Sequence, residues 1–204
     1  MPWFWDPSTG DYYDPDTGQR LDAAAVRELM EERQRKTADK IAALMAMFTG
    51  LEFIRRLWQL MLDEYTVLYL LGRGGLAQMT AADWAAIDAM VAGQEAYLAG
   101  FAQDLEDEEL SEAQKAARAL LYLGIGRAAF EQGQAGTQPE ANEVQWVLGV
   151  ADHCDDCLGL AGLGWQPKEP WPFAMAGAIA FPANGATVCF GNCKCGIEYR
   201  TVKE

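Results

Sequence analysis

From Val26 to Leu105, apolar side chains return every three or four residues, and that period predicts helices that each bury one stripe. Asp22 is placed to cap a first helix running to about Thr49, with Val26, Met30, Thr37, Ile41, Leu44, Met45 and Phe48 on its buried side. Gly50 ends it. A second helix covers roughly Leu51 to Leu71, with Phe53, Ile54, Leu57, Leu60, Met61, Leu68 and Leu71 on or near one face, and Gly72-Arg73-Gly74-Gly75 stops it. Thr80 opens a third, with Asp83 at the position that completes a capping box. Trp84, Ile87, Met90, Val91, Leu98, Phe101 and Leu105 form its core stripe, and it dissolves into the acidic run 104–109. Ser111, boxed by Gln114, opens a fourth that reaches about Gln134. Gly124-Ile125-Gly126 lies inside it, where small residues permit close helix packing. Short connections between long helices favour antiparallel neighbours, so residues 22–134 are expected to form an antiparallel helical bundle.

The flanks read differently. Residues 1–21 are an aromatic arm carrying Trp3, Phe4, Trp5, Tyr12 and Tyr13, with Asp-Pro-x-Thr-Gly turn signals at Asp6 and Asp14. The arm is expected to form a short hairpin or to dock on a neighbour. Asp14, Asp16 and Gly18 miss the spacing of a calcium loop, so turn chemistry is the preferred reading. Residues 135–152 read as a linker and short helix, with Gly133 to Pro139 as the flexible part and a helix from about Pro139 to Ala151. Residues 153–204 form a Cys-rich, Gly/Pro-rich module, and the alternation from Gly196 to Val202 predicts a strand within a short β-hairpin. The expected fold is therefore mainly α: a bundle followed by a small cysteine-cluster module.

Half of the residues are hydrophobic, which is enough for a packed core. A formal net charge of −14 disfavours binding to phosphate backbones. Arg33, Arg35 and Lys36 form a local basic cluster that reads as a solvated helix face. The most apolar stretch, Leu57 to Leu71, is interrupted by Gln59, Asp63 and Glu64 and is too short to span a membrane. The N-terminus carries no basic and apolar leader, so a soluble intracellular chain is expected.

The chemistry is concentrated in five cysteines, all in the last quarter: Cys154 and Cys157, then Cys189, Cys193 and Cys195. His153, the single histidine, adjoins the first pair. Thiolates at these spacings can converge on a tetrahedral ion, and zinc favours closed sites of four S or N ligands. A small module with little core of its own also needs such a staple. Cys154 and Cys157 are the leading ligands, two of Cys189, Cys193 and Cys195 would complete the set, and His153 is a lesser candidate. Disulfides across the two clusters, or free buried thiols, are the rival readings; an odd count and an intracellular setting speak against a disulfide framework. Catalysis is not expected. His153 is followed by Cys154 and Asp155, without the His-x-Glu of a zinc deaminase. One histidine also cannot build the usual open hydrolytic zinc site.

Several stretches together resemble the minor head proteins of tailed bacteriophages, related to the phage head-morphogenesis (Mu F-like) family. They are Gly74-Gly75 with Gln78-Met79-Thr80 and Asp83, Gln94 with Tyr97-Leu98 and Phe101, and Leu121-Tyr122. The most specific part is His153-Cys154-Asp155-Asp156-Cys157, Gly164-Trp165, Cys189, Asn192-Cys193-Lys194-Cys195 and Tyr199. The resemblance covers most of the chain from about residue 50. It implies a non-enzymatic structural role in head assembly, in several copies per particle. Portal, major capsid or connector subunits would be the partners, in the virion head and, before assembly, in the bacterial cytoplasm. Where the family pattern has a histidine before the final cysteines, this chain has Cys189. A zinc-stabilised intracellular adaptor outside the particle is the competing expectation.

Overall fold

The computed structural model describes residues 4–6, 9, 11–14, 16–21, 23–106, 110–138, 140–175, 178–184, 187–189 and 193–202. The proposed cap at Asp22, the helix start at Pro139, Trp3, the acidic residues 107–109 and Asn192 lie outside these described residues. In chain order the elements begin with three short strands, β1 (Phe4–Asp6), β2 (Asp11–Tyr13) and β3 (Arg20–Leu21). Helices α1 (Ala23–Met47), α2 (Gly50–Gly72), α3 (Ala81–Ala92), α4 (Glu95–Glu106), α5 (Glu112–Gly124) and α6 (Gly126–Ala135) follow. The C-terminal module contains β4 (Glu143–Val147), α7 (Asp155–Gly162), β5 (Gln166–Pro167), β6 (Ala174–Met175), β7 (Ala178–Ile179) and β8 (Gly196–Arg200). The fold is thus mainly helical with a Cys-rich C-terminal region. No helix among the described residues is long and apolar enough to cross a membrane.

Both capping boxes form. The Thr80 hydroxyl accepts from the Asp83 N–H while Asp83 accepts from the Thr80 N–H, and Ser111 and Gln114 do the same. The third and fourth predicted helices are each broken, at Gly93-Gln94 and at Ile125. Successive long segments run antiparallel: Arg33 of α1 meets Glu64 of α2, Tyr69 of α2 meets Asp83 of α3, and Arg118 of α5 meets Asp104 of α4. Segments α2 and α6 share a direction and meet through glycine. A Cβ on Gly72 would sit 2.1 Å from the Phe130 carbonyl oxygen, and one on Gly133 would sit 2.4 Å from that of Tyr69. Gly133 is therefore a packing residue rather than the start of a linker. At the α5–α6 break, a Cβ on Gly126 would press on Leu68, in keeping with the close packing expected there.

The core runs through Phe53, Leu57, Met61, Leu68, Ile87 and Phe101, all nearly solvent-free. Trp84 departs from its expected place in the core stripe: it is 41% exposed, because Asp83, Ile87 and Val91 present the inward face of α3. Arg33 likewise leaves the basic surface cluster to pair with the buried Glu64 at 2.8 Å, whereas Lys36 pairs with Glu32 on the surface. The N-terminal strands form an antiparallel sheet in the order β1-β2-β3. Tyr12 and Leu21 are buried in the bundle core, Tyr12 lying 6.3 Å from the Phe130 ring, so this part of the arm docks on its own chain. Its second turn is an Asx turn, with the Asp16 N–H bonded to Asp14 Oδ1 and Gly18 at φ 69°, which confirms turn chemistry.

The helix expected over Pro139–Ala151 is not formed. Glu143–Val147 is instead a central strand, paired antiparallel with β8 from Glu143↔Arg200 to Val147↔Gly196 and with β5 on its other side. Val144 and Trp146 point inward at alternate positions and are fully buried. They head a second core with Leu160, Phe173, Ala180 and Ile197, separate from that of the bundle. The expected strand at the end of the chain is β8, and its partner is β4; the hairpin of the module is β6–β7.

Candidate metal centre

Three local structures bring the cysteines together. Cys154 occupies the N-cap of α7 and Cys157 its first turn, so the positive end of that helix faces both sulfurs. Cys189 comes from the segment before β8, where the Val188 N–H is held by Asp156 at 2.8 Å. Cys193 and Cys195 immediately precede β8 and are buried. All five are unbonded thiols. Cys157 Sγ lies 3.6 Å from Cys189 Sγ and 3.7 Å from Cys193 Sγ. A disulfide needs roughly 2 Å. Two thiolates of a tetrahedral ion with metal–sulfur bonds of roughly 2.3 Å sit about 3.8 Å apart, so these separations suit shared coordination.

Two triads emerge, each with its sulfurs within 4.8 Å of one another: Cys154, Cys157 and Cys189, and Cys157, Cys193 and Cys195. The structure thus unites every cysteine singled out from the sequence, with Cys157 common to both sets. His153 stands at the edge. Its Nε2 lies 2.8 Å from the Gly149 carbonyl, and its Nδ1 is 3.7 Å from Cys195 Sγ. Gly149 permits this arrangement, since a Cβ there would fall 2.0 Å from the Lys194 carbonyl oxygen.

The electrostatics are those of thiols crowded away from water. Burial pushes the Cys157 thiol far up, and the neighbouring Cys193 adds to the effect. Burial likewise pushes Cys189 up to about 11. Cys193 is raised mainly by its hydrogen bond with Cys195, while the same bond holds Cys195 below the usual thiol value. Burial raises Cys154, but hydrogen bonds from Cys157 and Cys189 outweigh it and hold this thiol low. Without a cation the cluster cannot ionise as a whole; a bound cation removes that penalty. The indole N–H of Trp146 fits the same picture. It is buried without a conventional hydrogen-bond partner among the described residues, and it favours the thiolate of Cys195.

Sequence reasoning missed Trp146 and Thr187, whose hydroxyl lies 3.2 Å from Cys189 Sγ. It also missed Glu131 of α6, which accepts the Ile197 N–H at 3.2 Å and so holds β8 against the bundle. The alternation Val144-x-Trp146 was the available signal for the first; nothing local signals the other two. Compared with protein-family models, curated proteins and solved structures, the chain finds no match.

Proposed function

We propose that this chain is a non-catalytic structural component of a tailed-phage particle, a minor head or connector-proximal protein. It acts through protein–protein contacts, with its C-terminal module held by zinc. The observation that carries the reading is the convergence of all five cysteines into one thiol-rich cluster behind a helical bundle. It is the same stretch, His153 to Cys195, on which the resemblance to phage head proteins mainly rests. A donor set made of thiolates supplies folding energy when it takes up its metal, the usual role of sulfur-rich structural sites. Zinc fits because it favours tetrahedral sulfur coordination; iron takes the same donors, and element analysis and the absence of colour separate the two.

The bundle supplies contact surface. A cavity of about 530 Å³ opens between α3, α4, α5 and α6, lined by Met90, Tyr97, Leu121 and Ile125, with Asn184 of the module at its edge. Tyr97 is 61% exposed there, and an exposed aromatic beside an apolar hollow is a favourable anchor for a partner subunit. The acidic chain fits a partner-facing role better than a DNA-facing one.

The test is mass spectrometry of purified particles from cells expressing the tagged chain with its phage. A fixed copy number per particle is expected. Abundance in the lysate with absence from particles would overturn the virion reading and favour the intracellular adaptor.

A further inference from the structure

A single tetrahedral ion at roughly 2.3 Å from four thiolates would place all six sulfur–sulfur edges near ~3.8 Å. The cluster is not arranged that way. Among the described residues no four of its sulfurs lie within 4.8 Å of one another; two sets of three do, and they share Cys157. The two separations from Cys157, 3.6 Å to Cys189 and 3.7 Å to Cys193, each match an edge of a coordination shell, and it is the division into two triads that assigns them to different shells.

We infer that the module holds two divalent ions bridged by the Cys157 thiolate, one in the Cys154–Cys157–Cys189 triad and one in the Cys157–Cys193–Cys195 triad. This rests on the metal-binding reading above and deepens it. Every cysteine is then used, where a single tetrathiolate ion leaves one thiol without a role. Charge also favours it: five thiolates on two divalent ions leave one net negative charge, against two for four thiolates on one ion. His153 borders the second triad, approaching Cys195 without coming within 4.8 Å of all three sulfurs, so a small shift of its ring would be needed for it to serve as a fourth donor. Its Nε2 donates to the Gly149 carbonyl, so the neutral ring keeps its lone pair on Nδ1, 3.7 Å from Cys195 Sγ. A ligating imidazole is commonly fixed by such a second hydrogen bond to a backbone carbonyl.

The full chain, purified after growth with added zinc, should carry two zinc ions by native mass spectrometry and element analysis. One ion per chain would overturn the bridged pair while leaving a single staple in place; no metal would overturn both. Cobalt(II) titration of the metal-free chain provides a second reading. Thiolate-to-cobalt absorbance should grow to two equivalents, and the electron paramagnetic resonance signal should rise over the first and fall over the second as the shared sulfur couples the spins. A plateau at one equivalent would overturn the proposal. Cys189→Ser and Cys195→Ser should each retain one ion, and Cys157→Ser should retain less than one. A Cys195→Ser chain that keeps the full wild-type metal content would also overturn it.

Discussion

Asp83 gathers four donors: the Tyr69 hydroxyl and Arg73 Nε, both at 3.0 Å, and the backbone N–H and hydroxyl of Thr80 at 2.8 and 2.7 Å. Burial pushes its carboxyl up, but the Thr80, Arg73 and Tyr69 bonds outweigh burial and hold it below the ordinary 3.8. A depressed native value means that the stabilisation is present above the unfolded-state value and is lost as pH falls through the native one. Stability should therefore drop below about pH 4, and Asp83→Asn should remove part of that drop. At pH 7 the same variant should lose about 1–3 kcal/mol, read from urea midpoints at both pH values. The Thr80–Asp83 pair was legible in the sequence because a capping box is local. Tyr69 and Arg73 were not, because they reach Asp83 from the far side of the Gly74-Gly75 turn, where Gly74 and Gly75 adopt φ 82° and 107°.

Among elements, the crossing of α2 and α6 is the least forgiving. Its two glycines bring backbone against backbone, so Gly133→Ala must force the helices apart. The expected cost is about 1–3 kcal/mol, seen as a lower urea midpoint with little change in slope. Helix existence was legible throughout the bundle, since Leu57, Met61 and Leu68 or Ile87 and Val91 recur at helical spacing on faces that prove buried. The breaks at Gly93-Gln94 and Ile125 were not, because they answer to packing between helices rather than to any local stop signal stronger than a glycine. The error at Glu143–Val147 has a different cause. Pro139 suggested a helical first turn, yet the strand's main partner, β8, supplies paired residues 49 to 57 positions away in sequence, from Val147↔Gly196 to Glu143↔Arg200. Such non-local pairing leaves only the weak alternation of Val144 and Trp146 as a clue.

At the scale of the whole molecule, two hydrophobic cores share one chain, and only the second contains the cysteines. Stripping the proposed metal with a strong chelator should therefore abolish the near-ultraviolet signal of Trp146 and Trp171 while most of the far-ultraviolet helical signal persists. Simultaneous loss of both signals would mean that the cores fold as one. The cysteine set itself was legible from spacing alone, but its division into two triads was not, because that depends on where α7 and the segment before β8 meet. The carboxylate of Glu131 joins the halves by taking the Ile197 N–H of β8, one of the two edge strands in the order β5-β4-β8. That strand would otherwise offer a row of open amides to any passing extended peptide. Glu131 caps one amide of that edge, so Glu131→Ala chains should associate more readily through β8 on concentration, an increase that light scattering would detect and whose absence would show that the edge is protected by other means.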